Sequence, residues 1–217
     1  MRPLSHGRDL ASLSYTVMQI VCLDLEGVLV PEIWIAFAEK TGVEELKRTT
    51  RDEPDYNVLM DYRLNILRKN DFTLSQIQEV IDSLDPLPGA LEFLSVLRSQ
   101  YEVILLSDTF REFASPLMRK LNFPTLFCHE LKVDSCNRIE SVLLRMEDHK
   151  RKTVQYLQKL NFEVIASGDS YNDLGMLKTA DRCILFNPPD SLATEYSDMA
   201  VAKNYAQLLS FITNSAP

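Results

Sequence analysis

The sequence predicts an α/β fold, a parallel sheet sandwiched by helices with a small all-helical segment inserted after the first strand. Three observations predict it. Apolar, β-prone runs alternate with stretches of helical period along most of the chain, the pattern of βαβ units with right-handed crossovers. Three of those runs stop at an acid or a hydroxyl, which puts polar chemistry at the carboxyl edge of such a sheet. Between residues 31 and 85 the rhythm breaks and only helical periodicity remains.

The first strand is expected at 19–24, where Ile20-Val21-Cys22-Leu23 runs into Asp24-Leu25-Glu26-Gly27. In the insert, Ile33, Phe37 and Ala38 share a face. Val58, Leu59, Tyr62, Leu64, Ile66 and Leu67 do so with slippage, and Leu74, Ile77, Val80, Ile81 and Leu84 recur at helical spacing. Thr73 and Gln76 have the spacing of a capping box. Asp85-Pro86-Leu87-Pro88-Gly89 is a stiff return linker. Helices are then expected at Leu87–Gln100, Phe113–Leu121, Lys150–Leu160, Asn172–Thr179 and Tyr205–Thr213. Strands are expected at 102–107, 125–128, 163–167 and 182–186, with a weaker one at 199–202. Lys132-Val133-Asp134 and Arg138-Ile139-Glu140 read as a hairpin around Ser135-Cys136-Asn137. The reading gives a core domain of residues 18–30 and 86–217 and a helical cap of 31–85. Residues 1–17 show no clear period and no sustained apolar core, so they read as a disordered extension or an upstream start not used by the native protein.

The chain has 217 residues and a net charge of −8. That charge disfavours nucleic acid and anionic membranes as partners, and no apolar run approaches the roughly 20 residues that span a bilayer. Cys22, Cys128, Cys136 and Cys183 form no CxxC pair and read as reduced thiols. A cytoplasmic location is expected. His6, His129 and His149 lack metal-ligand spacing, so no histidine-based metal site is expected.

Asp24 is the candidate nucleophile, since an acid ending a buried strand is costly unless a cation or a reaction needs it. Glu26, two residues on, projects to the same side of an extended chain and suits general acid/base work. Gly168-Asp169-Ser170-Tyr171-Asn172-Asp173 ends another strand. Carboxylates brought together there repel, by roughly 4 kcal/mol per pair at about 4 Å and an effective dielectric near 20. A hard divalent cation offsets this, and Mg²⁺ suits a site of few carboxylates plus phosphate. The expected metal set is Asp24, the Glu26 carbonyl, Asp169 and, close by through water, Asp173. Ser107 ends a third strand and can hydrogen-bond a phosphate oxygen. Lys150 lies three, four and seven residues before Thr153, Val154 and Leu157, at the core edge of its helix. Lys152 fits that spacing less well. Taken singly, each motif is also what a surface turn or helix cap would look like.

Together, Asp24-x-Glu26-Gly-Val, Ser107, Lys150 and Gly168-Asp169-x-x-x-Asp173 resemble the four ordered motifs of the haloacid dehalogenase superfamily. The stretch 22–34, Thr49-Thr50-Arg51-Asp52, the Ser-Asp-Thr-Phe at 107–110 and residues 168–173 are similar to its bifunctional phosphoserine phosphatase/homoserine phosphotransferase branch. The resemblance runs from about Met18 to the last helix. It implies a Rossmann-like core, Mg²⁺ as cofactor and an aspartyl-phosphate on Asp24. It also implies transfer of the phosphoryl group from O-phosphoserine to water or homoserine. It further implies that Glu32 and Arg63 hold the amino-acid end, that Ser107, Asp108 and Lys150 line the phosphate and substrate pocket, and that Asn172 lies near phosphate or metal. Phosphatases of the wider family carry Asp where this chain has Glu26. Two alternatives are a related phosphatase of another small phosphomonoester and a catalytically silent binding protein on the same scaffold.

Overall fold

The computed structural model describes residues 16–49, 52–53 and 55–214. Most of the stretch read as an N-terminal extension, and Thr50 and Arg51 of the family-like segment, therefore lie outside the described residues. Seven strands form one sheet in the order β4-β3-β2-β1-β5-β6-β7. They are β1 (Met18–Leu23), β2 (Glu102–Phe110), β3 (Thr125–Val133), β4 (Ile139–Leu143), β5 (Phe162–Gly168), β6 (Arg182–Phe186) and β7 (Ala200–Ala202). All neighbours pair in parallel except β3 and β4.

The alternation of side chains along the central strands sorts the core into two layers. Val21 and Leu23 of β1, Val103 and Leu105 of β2 and Ile165 of β5 join the larger cluster. Ile20, Cys22, Leu106, Val164 and Ala166 join the smaller one on the other face. The helices are α1 (Ile33–Thr41), α2 (Tyr56–Lys69), α3 (Leu74–Asp82), α4 (Ala90–Arg98), α5 (Arg111–Lys120), α6 (His149–Lys159), α7 (Leu174–Thr179), α8 (Asp190–Glu195) and α9 (Tyr205–Thr213). The apolar faces of α1, α2 and α3 belong to the same continuous cluster as one face of the sheet, through Ile33, Phe37, Leu64, Leu67, Ile77 and Ile81.

The structure differs from the expected elements in three places. β2 runs past Leu106 through Phe110, because an irregularity in register between those residues lets it keep pairing with β3 up to Phe110 opposite His129. β3 is one strand where two pieces were expected, and it carries the hairpin arm directly into β4. The short α8 was not foreseen, since six residues after Pro188-Pro189 are too few to show a period. The Thr73–Gln76 capping box is present, with the Thr73 N–H donating to Gln76 Oε1 at 2.9 Å.

β1 is the switch point. The chain leaves it for β2 and β3 on one side, and β5 to β7 are added on the other. Leu23 pairs with Leu105 and with Ser167, so Asp24 emerges level with the end of β5 and with Leu106 on β2, just before Ser107. The β3–β4 turn braces the inserted helices. Asn137, at φ +63°, accepts from the Leu74 N–H through its carbonyl (2.7 Å) and from the Ser75 N–H through its side chain (2.8 Å). Asn137→Gly should therefore cost about 1 kcal/mol in urea unfolding, the worth of the side-chain hydrogen bond. Asn137→Ala should cost more, because alanine resists the left-handed backbone. Equal losses for the two variants would refute this account.

Candidate active site

Asp24 ends β1 and is 4% exposed. Its backbone N–H donates to the Ser167 carbonyl (2.9 Å), and its Oδ1 accepts from the Leu25 N–H (2.8 Å). Lys150 stands in the first turn of α6 and is also buried. Its Nζ lies 3.0 Å from Asp24 Oδ1, 2.8 Å from Asp173 Oδ1 and 3.4 Å from Asp108 Oδ2. Those acids hold the lysine pKa well above its usual value against the opposing effect of burial. Lys152 is half-buried and is not among these contacts.

Asp173 is fully buried. Its Oδ2 accepts from the backbone N–H groups of Asp169 (3.0 Å) and Ser170 (3.1 Å), while Oδ1 takes Lys150. Both oxygens are committed. Asp169 is different, because its Oδ1 is buried without a hydrogen-bond partner. One oxygen each of Asp24, Asp169 and Asp173 lies within 4.8 Å of the others. Burial, then the charges of Asp173 and Glu32, push Asp169 up to about 7. Burial and the charge of Asp173 likewise push Asp24 well above the carboxylate range, with Lys150 opposing. An orphaned carboxylate oxygen beside a second carboxylate that resists ionising is the donor set of a hard cation, and Mg²⁺ fits it. Two glycines permit the crowding. A Cβ on Gly27 (φ +75°) would lie 2.4 Å from an Asp169 oxygen, and one on Gly168 would lie 2.3 Å from the Asp173 carboxyl carbon.

Glu26 sits beyond Asp24, and its Oε2 accepts from the Ile33 N–H at the start of α1 (2.9 Å). Burial and the neighbouring charge of Glu32 raise it to about 7. Glu32 is exposed at the N-cap of α1, near enough for its charge to act on Glu26, Asp169 and Arg63. Arg63, from α2, is buried over the Trp34 ring (4.7 Å) and donates to the Arg48 carbonyl (2.8 Å). Its Nε has no hydrogen-bond partner, and burial lowers its pKa to about 10. Ser107 is buried in β2, where its Oγ accepts from the Thr109 N–H (3.2 Å). Asn172 is exposed and donates to Asp108 Oδ2 (3.0 Å).

The candidate residues thus gather at the carboxyl ends of β1, β2 and β5, the starts of α1 and α6 and the middle of α2. Sequence reading missed two features, the Thr109 hydroxyl and the meeting of His129 with His149, whereas Tyr56 reads from sequence as either a pocket or a packing aromatic. Thr109, two residues after Ser107, turns a buried hydroxyl toward Glu26 and draws its pKa down, although the hydroxyl reaches no hydrogen-bond geometry. Tyr56 donates to the Asp108 carbonyl (3.0 Å). His129 and His149, which look scattered in the sequence, converge on Asp108. No local pattern in the chain signals this, since the pairing of β3 with β2 at His129 and the placing of α6 beside them are what bring the rings together.

The model of the haloacid dehalogenase-like hydrolases matches residues 18–181. The chain belongs to that family. It is 53% identical over 191 residues to phosphoserine phosphatase ThrH of Pseudomonas aeruginosa, covering 88% of this chain and 93% of that protein. It is also 53% identical over 191 residues to a phosphoserine phosphatase of Pseudomonas syringae pv. tomato, covering 88% of this chain and 81% of that one. Among solved structures, a phospho-aspartyl intermediate analogue of phosphoserine phosphatase superposes with a TM-score of 0.75 at 21% identity, over 90% of this chain and 99% of that one. A substrate-bound phosphoserine phosphatase complex gives the same score and identity over 91% and 99%. At that identity the structures establish the hydrolase fold alone. No helix among the described residues is long and apolar enough to cross a membrane.

The raised carboxyls give a pH-dependent signature. Glu26 and Asp169 have folded values of about 7, above those of free carboxyls. Between pH 6.5 and 8 the folded protein therefore binds more protons than the unfolded chain, and stability falls as pH rises. His149 is shifted the other way, down from its ordinary value of 6.5 by burial, so its opposing contribution is felt only at the low end of this window and below it. In a chelator the melting temperature should drop by a few degrees across it, and Mg²⁺ should remove the drop. A flat profile in chelator would refute the crowding of these acids.

Proposed function

We propose that this hydrolase is a Mg²⁺-dependent phosphoserine phosphatase that also transfers the phosphoryl group from O-phosphoserine to homoserine. The observation that carries the reading is the buried Asp24 carboxylate 3.0 Å from Lys150 and beside the unpaired Asp169 oxygen. The substrate is supported by the two Pseudomonas relatives named as phosphoserine phosphatases.

Asp24 attacks phosphorus, and the bond from phosphorus to the serine oxygen breaks. Glu26 gives the departing alkoxide its proton, and a value near 7 suits that task at neutral pH. Glu26 then takes a proton from water or from the homoserine hydroxyl. That oxygen attacks phosphorus, and the bond to Asp24 breaks, restoring the carboxylate. Lys150, Ser107 and Asn172 hold the phosphoryl oxygens. Glu32 pairs with the substrate ammonium, and Arg63 offers its unpartnered Nε to the carboxylate. Bound by Asp24, the Glu26 carbonyl and Asp169, with Asp173 behind them, Mg²⁺ would supply the positive charge that keeps Asp24 ionised as a dianion approaches. Helices α1, α2 and α3 form the cap over this edge.

The decisive test is incubation with O-phosphoserine and Mg²⁺, with and without homoserine, measuring free phosphate and phosphohomoserine. Asp24→Asn should lower turnover at least about a thousandfold and abolish the covalent phosphoryl adduct. A panel in which another monoester is clearly preferred would sink the substrate assignment. The extra methylene of Glu26 moves the acid/base by about one carbon–carbon bond, and misplacement of that order matters more for a small, loosely held water than for a bound alcohol. Glu26→Asp should therefore shift the product ratio toward hydrolysis. An unchanged ratio would show the side-chain length to be irrelevant.

A further inference from the structure

Asp108 is where the proposed phosphate pocket meets a second polar cluster. Its Oδ2 faces the site, on Asn172 and Lys150. Its Oδ1 faces away, 3.1 Å from His149 Nε2 and 3.8 Å from His129 Nε2. The two rings lie 4.6 Å apart and are 2% and 3% exposed, whereas the Asp108 side chain is 35% exposed. The histidines are thus buried posts and the half-buried carboxylate is their outer end.

Arg145 fixes the protons. Its backbone N–H donates to His129 Nδ1 (3.2 Å), and its Nη2 lies 3.2 Å from His149 Nδ1. A backbone N–H and a guanidinium are both donors only, so both Nδ1 atoms must offer lone pairs, and in the neutral ring the proton sits on Nε2, facing Asp108. The guanidinium is itself held by Thr153 Oγ1 (3.0 Å) and lies over the Phe127 ring (4.9 Å). Burial keeps His149 below its ordinary pKa, which favours the neutral ring. Asp108, despite its own burial, is held well below the carboxylate range by Lys150 and the two imidazoles.

The same Asp108, His129 and His149 have ligand atoms close enough to suggest a metal site. The Arg145 donors argue against one. A metal on the Nε2 atoms would move both ring protons to Nδ1, directly against those donors.

We propose that His149, His129 and Arg145 form a positioning cluster that holds the Asp108 carboxylate back from Lys150, so that the lysine stays free to grip the phosphoryl group. Released from His149, a carboxylate 3.4 Å from an ammonium closes into a tighter ion pair. That pair competes with phosphate for the same Nζ. The inference rests on the proposed phosphatase reading, and it adds residues that would touch neither substrate nor metal.

Two measurements test it. Heteronuclear NMR of the imidazole nitrogens in the full chain should show His149 and His129 as Nε2–H tautomers, and a proton on Nδ1 of His149 would overturn the proposal. Inorganic phosphate inhibition of p-nitrophenyl phosphate hydrolysis reads the pocket whichever monoester is the natural substrate. His149→Leu should raise the phosphate inhibition constant about tenfold, the scale of one charge-assisted hydrogen bond, while kcat changes much less. His149→Gln, whose side-chain N–H can stand in for Nε2–H, should restore most of the affinity. An unchanged constant in His149→Leu, or a Gln variant as weak as Leu, would refute the mechanism. Should the Leu variant not fold, Arg145→Met carries the test. It must lose the Nε2–H tautomer of His149 and weaken phosphate, and retention of both would be the refutation. Failure to turn over phosphoserine, with these phosphate effects intact, would sink the substrate reading alone.

Discussion

The Lys150 ammonium is the contact on which this carboxyl edge depends. It donates to Asp173 Oδ1 at 2.8 Å and lies 3.0 Å from Asp24 Oδ1 and 3.4 Å from Asp108 Oδ2. Asp169 stands in the same cluster with one buried oxygen unpaired. One cation against these acids is a deficit. At an effective dielectric near 20, each unit-charge pair at about 4 Å costs roughly 4 kcal/mol, a large share of the 5–15 kcal/mol typical of a whole domain. The fold tolerates the excess because some of the carboxyls give up their charge when no second cation is near. That is why Asp24 and Asp169, already raised by burial, are pushed further up by the charge of Asp173. In the proposed function a divalent ion makes up that deficit.

The backbone is built around that crowding. Asp24 and Asp169 come from strands that are direct neighbours in the sheet, so their approach is set by register and needs no flexible loop. Gly27 and Gly168 are glycines because a Cβ at either would overlap a carboxylate of the site. Asp173 closes the turn that starts α7 by accepting from the N–H groups of Asp169 and Ser170. One side chain thereby shapes the turn and anchors the lysine.

Much of this was legible in the chain. A strand ending in an acid is so costly unless used that β1 and β5 announced their ends, and the spacing to Thr153, Val154 and Leu157 favoured Lys150 over Lys152 without deciding between them. The cluster around Asp108 was not legible. His129, Arg145 and His149 lie on β3, after β4 and on α6, and only the sheet order brings them together. Period and composition report which face of an element is buried. They do not report which neighbour that face meets, and a polar cluster assembled from several elements is a property of the neighbours. The extended β2 escaped for a related reason, since its last residues pair across an irregularity that no local pattern encodes.

Two acids of the site, alike in being desolvated, are driven in opposite directions by their neighbours. Glu26 and Asp108 are both desolvated. Glu26 meets another carboxylate, Glu32, and receives one backbone N–H, so its charged form is disfavoured and it rises to about 7. Asp108 meets an ammonium, two imidazoles and an amide, so its charged form is favoured and it falls. A carboxyl poised near neutrality can pass a proton in both directions, whereas one held ionised can only accept hydrogen bonds and balance charge. The division of labour between proton carrier and fixed anion is therefore decided by what lies within a few ångströms of each carboxyl. It follows that exchanging the neighbours, rather than the acids themselves, is what would exchange the roles.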